Sequence, residues 1–172
     1  MSFFRSIGVA CGILVGIVLC VVIFRFANTD KKIRSSYDER QEAIRNVAYK
    51  YAFYTVLLYE VLMLILDIGE IVLPVPSYAM HFFGVILGCI VLGVYCIWKD
   101  VFWGMNNSRK RYFLVFILCL IFNLMPVIMA SVSGSLIVDG VIGFPVVNIM
   151  VLVMFAIMLI TMLLKSIVNK ED

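Results

Sequence analysis

The chain has 172 residues, of which 64% are hydrophobic, and its mean hydropathy is +1.09. A soluble domain is about half apolar; here the excess falls in blocks long enough to cross a bilayer, which needs about 20 residues each, so a soluble globular protein is excluded. The net charge of +3 gives no reason to expect direct nucleic-acid binding, because the basic residues sit in the connections between the apolar blocks.

The first block covers about 7–26. It follows MSFFR, no A-x-A-like cleavage site comes after it, and the bulky Leu19 before Cys20 is a poor match to a lipoprotein site, so an uncleaved helix is expected. Gly8, Gly12 and Gly16 recur every four residues. That spacing puts them on one helix face and lets a second helix approach closely. The third block carries a similar pair, Gly84 and Gly88. The two grooves are expected to face each other within one chain, with a homo-oligomer as the alternative.

The connection that follows is rich in Lys and Arg, and residues 36–50 read as a helical extension running into the second block. Ser36 and Glu39 have the S-x-x-E spacing of a capping box, and acids there suit the positive end of the helix dipole. Tyr37, Ile44, Val47, Ala48 and Tyr51 form an apolar stripe at helical spacing, so a helix from Tyr37 to Leu73 is expected. Such a basic amphipathic segment either lies against anionic lipid headgroups or docks a cytoplasmic partner. The run Asp38, Glu39, Arg40 and Gln41, followed by Ala48, Tyr49 and Ala52, resembles a juxtamembrane D-E-R-Q segment of small, uncharacterised multi-pass membrane proteins of Gram-positive bacteria. Some of these look like companions of small helix-turn-helix regulators. The resemblance fits a docking role, here assigned to Asp38, Glu39, Arg40, Gln41 and Glu42, with a regulatory protein as partner.

The second block, about 51–73, contains three acids: Glu60, Asp67 and Glu70. A carboxylate at mid-bilayer costs about 2.5–3.5 kcal/mol on insertion scales, and intramembrane ionisable groups are functional candidates by default. Glu60 and Asp67 share a face, and Asp67 neighbours Glu70. The third block, about 78–98, brings His81, the single histidine, back towards Glu70 or Asp67. The fourth, about 112–131, holds Asn123 ahead of Pro126, where the helix is expected to open; Asn123, Tyr54 and Tyr59 are the expected partners of Glu60. Together Glu60, Asp67, Glu70, His81 and Asn123 form the expected outward vestibule for an ion or ligand, or else an internal polar network. Before the fifth block, about 144–164, Asp139-Gly140 signals a hairpin turn, with a plain loop as the alternative.

All basic residues except Arg5 fall in the first and third connections and the C-terminal stretch, which share one side if five helices span. By the positive-inside rule that side is cytoplasmic, with the N-terminus outside. The five cysteines lie in apolar blocks without C-x-x-C spacing, so neither disulfides nor a metal site is expected. No nucleotide, zincin or nucleophile-elbow motif occurs, so no catalytic residue or cofactor is assigned and a non-enzyme is expected. The expectation is an all-α helix bundle, one integral membrane domain with five transmembrane helices, in a bacterial cytoplasmic membrane. Its expected role is regulatory or sensory; the alternative is a small proton- or cation-linked transporter using the intramembrane acids.

Overall fold

The computed structural model describes residues 2–143 and 145–171; the side chains of 2–6, 8–10, 12, 13, 170 and 171 lie outside the described residues, and with them the expected groove residues Gly8 and Gly12. The chain forms α1 (Ser2–Ala27), α2 (Glu39–Ile68), α3 (Ser77–Trp98), α4 (Arg109–Val132), a hairpin of β1 (Ile137–Val138) and β2 (Val141–Ile142), and α5 (Val146–Glu171). Helices are what lipid demands, because hydrocarbon offers backbone N–H and C=O groups no partner. Among the described residues, α2, α3, α4 and α5 are long and apolar enough to cross a membrane. Their outer surfaces suit lipid: Leu58, Phe122 and Leu163 are 73%, 68% and 65% exposed. Contiguous apolar surface of this kind is not tolerated in water.

The helix ends differ from expectation in two places. The N-cap of α2 is Asp38, whose Oδ1 accepts the Gln41 N–H at 2.6 Å while Gln41 Oε1 accepts the Asp38 N–H at 3.2 Å. Ser36 does not form the expected box with Glu39. Its backbone is committed to loop pairing instead: its N–H donates to Asn106 Oδ1 and its carbonyl accepts from Met105 N–H, both at 2.7 Å. At the other end α2 stops at Ile68, short of Leu73. The Ile71 N–H bonds the Leu66 carbonyl and the Glu70 N–H bonds that of Asp67, a Schellman ending with Glu70 at φ 52°. The ends of α3 and α4 repeat this pattern, with Asp100 (φ 60°) and Gly134 (φ 68°) in the left-handed position.

Two compact units divide the chain. One comprises Met1–Tyr37 and Trp103–Phe116, the other Asp38–Phe102 and Ile117–Asp172. In the larger unit α3 packs against both α2 and α5. Gly84 and Gly88 make the first contact possible. A Cβ on Gly88 would lie 2.6 Å from Val56 Cγ2, and one on Gly84 2.6 Å from Tyr59 Cδ1. This groove is therefore filled by α2, and a Cβ on Gly16 would meet nothing within 4 Å. A small core of Ala48, Cys96 and Val101, flanked by Ile44, Leu92, Tyr95 and Phe102, closes one end of the α2–α3 hairpin. Lys165 of α5 caps the same end of α3, donating to the Trp98 carbonyl at 2.7 Å and pairing with Asp100 at 2.8 Å. A cation there complements the helix C-terminal dipole.

The expected hairpin forms. Val138 pairs with Val141 across Asp139 (φ 52°) and Gly140 (φ 77°), so both turn residues take the positive φ of a type I′ turn. The Ile142 N–H donates to the Pro74 carbonyl at 3.2 Å, tying the hairpin to the α2–α3 connection.

Substituting Gly88→Leu forces a side chain into Val56 and is expected to cost about 1–3 kcal/mol. Thermal unfolding in detergent reads this as a lower midpoint, and Val56→Ala in the same chain is expected to recover part of the loss.

Candidate functional site

The α2–α3 register decides which acid meets the histidine. Val56 lies against Gly88 and Tyr59 against Gly84. In that register His81 falls beside Glu60, and their Nδ1 and Oε2 atoms are 2.9 Å apart. The expected meeting of His81 with Glu70 or Asp67 does not occur, because α2 ends at Ile68 and Glu70 lies in the connection. Gly84 also leaves room for the acid: a Cβ there would come 3.0 Å from Glu60 Oε1. Tyr59 fastens the two helices one residue away, its hydroxyl donating to the Met80 carbonyl at 2.8 Å. The pair is half exposed, with side-chain exposures of 38% for Glu60 and 50% for His81. Chemically it holds either an ion pair or one shared proton.

The other expected vestibule residues are placed apart from this pair. Asn123 does not bond Glu60. Its Nδ2 donates to the Cys119 carbonyl one turn back at 2.8 Å, and its Oδ1 accepts Asn148 Nδ2 at 3.0 Å, which joins α4 to α5. Nor do Tyr54 and Tyr59 bond Glu60: Tyr54 packs edge-on to Phe53. The side chains of Asp67 and Glu70 are exposed, with no hydrogen-bond partner among the described residues. No three His, Cys, Asp or Glu groups among the described residues converge as metal ligands. Of the expected docking residues, Asp38 and Gln41 are engaged in starting α2, while Glu39, Arg40 and Glu42 point their charges into open surroundings.

A second polar cluster, in the smaller unit, was not anticipated from the sequence. Asn28 is fully buried. Its Oδ1 accepts from Asn107 Nδ2 at 2.7 Å and from the Tyr112 hydroxyl at 3.0 Å, and its Nδ2 donates to the Lys32 carbonyl at 2.8 Å. Asn106 supplies the neighbouring knot. Its Nδ2 donates to both Asp30 oxygens and to the Arg34 carbonyl at 3.1 Å, and its own carbonyl accepts from the Thr29 N–H and hydroxyl. Gly104 is required where these loops cross, since a Cβ would sit 2.7 Å from the Ser36 carbonyl oxygen. The Lys32 N–H, reinforced by Asn106, holds the Asp30 carboxyl below the usual aspartate range. The signal in the sequence is slight: three asparagines in two short connections, a pattern that reads as ordinary turn chemistry.

Compared with known proteins, the chain matches no family model, no curated protein and no solved structure.

If Glu60 and His81 stabilise each other, a double-mutant cycle of Glu60→Gln and His81→Gln should show a coupling of about 0.5–3 kcal/mol in unfolding experiments; additive losses would mean that the contact contributes nothing. Asn28→Ala leaves Asn107, Tyr112 and the Lys32 carbonyl short of a partner and should cost about 1–3 kcal/mol for each group left buried. Asp30 adds a pH dependence. Its folded pKa is depressed, so its contribution is whole above the ordinary aspartate range and is lost as pH falls through the folded value. Hydrogen exchange at the Lys32 amide should accelerate in that acid window, and Asp30→Asn should abolish the dependence.

Proposed function

We propose that the chain is a non-enzymatic regulatory or sensory protein of a bacterial cytoplasmic membrane, with five spanning helices, the N-terminus outside and the C-terminus inside. The observation that carries this reading is the start of α2. A capping box orders its first turn, and Glu39, Arg40 and Glu42 project from it without partners among the described residues. An ordered helix end with outward charges of both signs suits recognition of a complementary protein surface. Supporting the topology, α1 has 26 residues, or roughly 39 Å of helix at about 1.5 Å per residue. Its described part, Leu14–Ala27, is apolar. Apart from Arg5, the Lys and Arg residues fall in the first and third connections and the C-terminal stretch, which five alternating spans put on one, cytoplasmic side. The D-E-R-Q resemblance points in the same direction, towards a cytoplasmic regulator as partner.

The acids favour sensing over transport. A transport path needs ionisable groups in sequence along one cavity. Glu60 is bonded to His81 instead, and Asp67 and Glu70 stand apart from that pair.

A photocrosslinking residue in place of Glu39 tests the docking role directly. In native membranes it should give a protein adduct that disappears when Arg40→Glu and Glu42→Lys reverse the neighbouring charges, while insertion and thermal stability are kept. The same protein in liposomes should conduct neither protons nor monovalent cations. Flux that vanishes in a folded Glu60→Gln variant would replace this reading with a transporter.

A further inference from the structure

We infer that the smaller unit binds the phosphate of an anionic lipid headgroup in a cleft between the end of α1 and the start of α4. The cleft has a volume of about 370 Å³ and is lined by Arg25, Phe26, Lys31 and Arg111. Three of these four residues are cationic, and no carboxylate among the described residues lines it. The nearest acid in the loop, Asp30, is turned away to the Asn106 side chain and the Lys32 N–H.

The two guanidinium groups are held in place by backbone carbonyls rather than by acids. Arg111 Nη1 donates to the Phe26 carbonyl at 3.1 Å and to that of Asn28 at 3.5 Å, and its Cζ sits 5.6 Å from the centre of the Phe26 ring. Arg25 Nε donates to the Lys31 carbonyl at 3.3 Å. Each group thus keeps its full charge and further N–H donors for an incoming anion, and the fork geometry of arginine suits phosphate oxygens. Lys31 takes a left-handed backbone conformation (φ 56°), which costs a non-glycine residue energy and is retained at a lysine that lines the cleft.

The position of the cleft selects a lipid. Arg25 belongs to the last turn of α1, where the apolar stretch Leu14–Ala27 ends, and Arg111 to the first turn of α4, where the next apolar stretch begins. A cleft at the shared end of two apolar helices lies at headgroup depth, with Phe26 as a surface for the glycerol and upper acyl carbons. The inference needs only that these helices end at a membrane surface and does not depend on partner docking, so failure of either leaves the other standing.

Native mass spectrometry of the full-length protein in neutral detergent, titrated with phosphatidylglycerol and with phosphatidylcholine, tests it. Phosphatidylglycerol should be retained preferentially. Retention should fall about fivefold for each cleft charge removed, in Arg25→Gln and in Lys31→Gly. The glycine variant removes the charge while relieving the backbone, so its loss of binding cannot be attributed to misfolding. Lys32→Gln removes the same charge outside the cleft and should bind as the parent does. Equal loss in Lys32→Gln, or no preference for the anionic lipid, would overturn the site. Displacement of the lipid by millimolar inorganic phosphate, abolished in the two cleft variants, would overturn the lipid assignment in favour of a soluble phosphate.

Discussion

Hydrocarbon cannot hydrogen-bond, and nearly every feature of this protein answers that constraint. An unsatisfied polar group in lipid costs several kcal/mol. The backbone answers by forming helices, and the side chains answer locally. Thr55, Ser131 and Thr161 each bond the carbonyl one turn back, as does Asn123. Two pairs of polar side chains meet between helices, Asn123 with Asn148 and Glu60 with His81, and the Tyr59 hydroxyl bonds the Met80 carbonyl across the same gap as the second pair. Among the described residues no buried side-chain nitrogen or oxygen lacks a partner.

The same constraint operates at the helix ends, where four carbonyls lose their intrahelical donors. Schellman endings at α2, α3 and α4 satisfy part of this demand. Two of the three place an acid in the left-handed position that glycine fills most easily. Asp100 has a clear reason to be there, since it pairs with Lys165 and so fixes α5 against α3. The Glu70 side chain has no such partner among the described residues. It combines a strained backbone with a negative charge at the negative end of α2. That cost singles it out from the other exposed acids.

Much of this was legible in the sequence because hydropathy and turn chemistry are local. The span of α3 matches its apolar block almost to the residue, and Asp139-Gly140 folds as its dipeptide implies. What was not legible depends on register. A helix hairpin with its turn at Leu73 would set His81 near Glu70; the turn begins at Gly69 instead, and the histidine reaches Glu60. The capping box moved from Ser36 to Asp38 because a distant loop claims the Ser36 backbone, a long-range contact with no mark in the local pattern. For the same reason the Asn28, Asn106 and Asn107 network passed as turn residues. Each asparagine is ordinary alone, and only the folded loops show what they bond. The Gly84 and Gly88 spacing correctly marked a close helix approach, but spacing alone does not name the helix that fills the groove.

The central proposal is that the chain threads the membrane five times, with Ser2 and Ser166 on opposite faces. Impermeant maleimide labelling of single-cysteine variants at Ser2, Ser108 and Ser166, in sealed vesicles of known orientation, tests this most directly. Ser108 and Ser166 should react from the cytoplasmic face and Ser2 only from the opposite one. Labelling of Ser2 from the same face as Ser166 would show that α1 does not cross, and the orientation, the cytoplasmic placement of the α2 start and the docking role built on it would have to be abandoned.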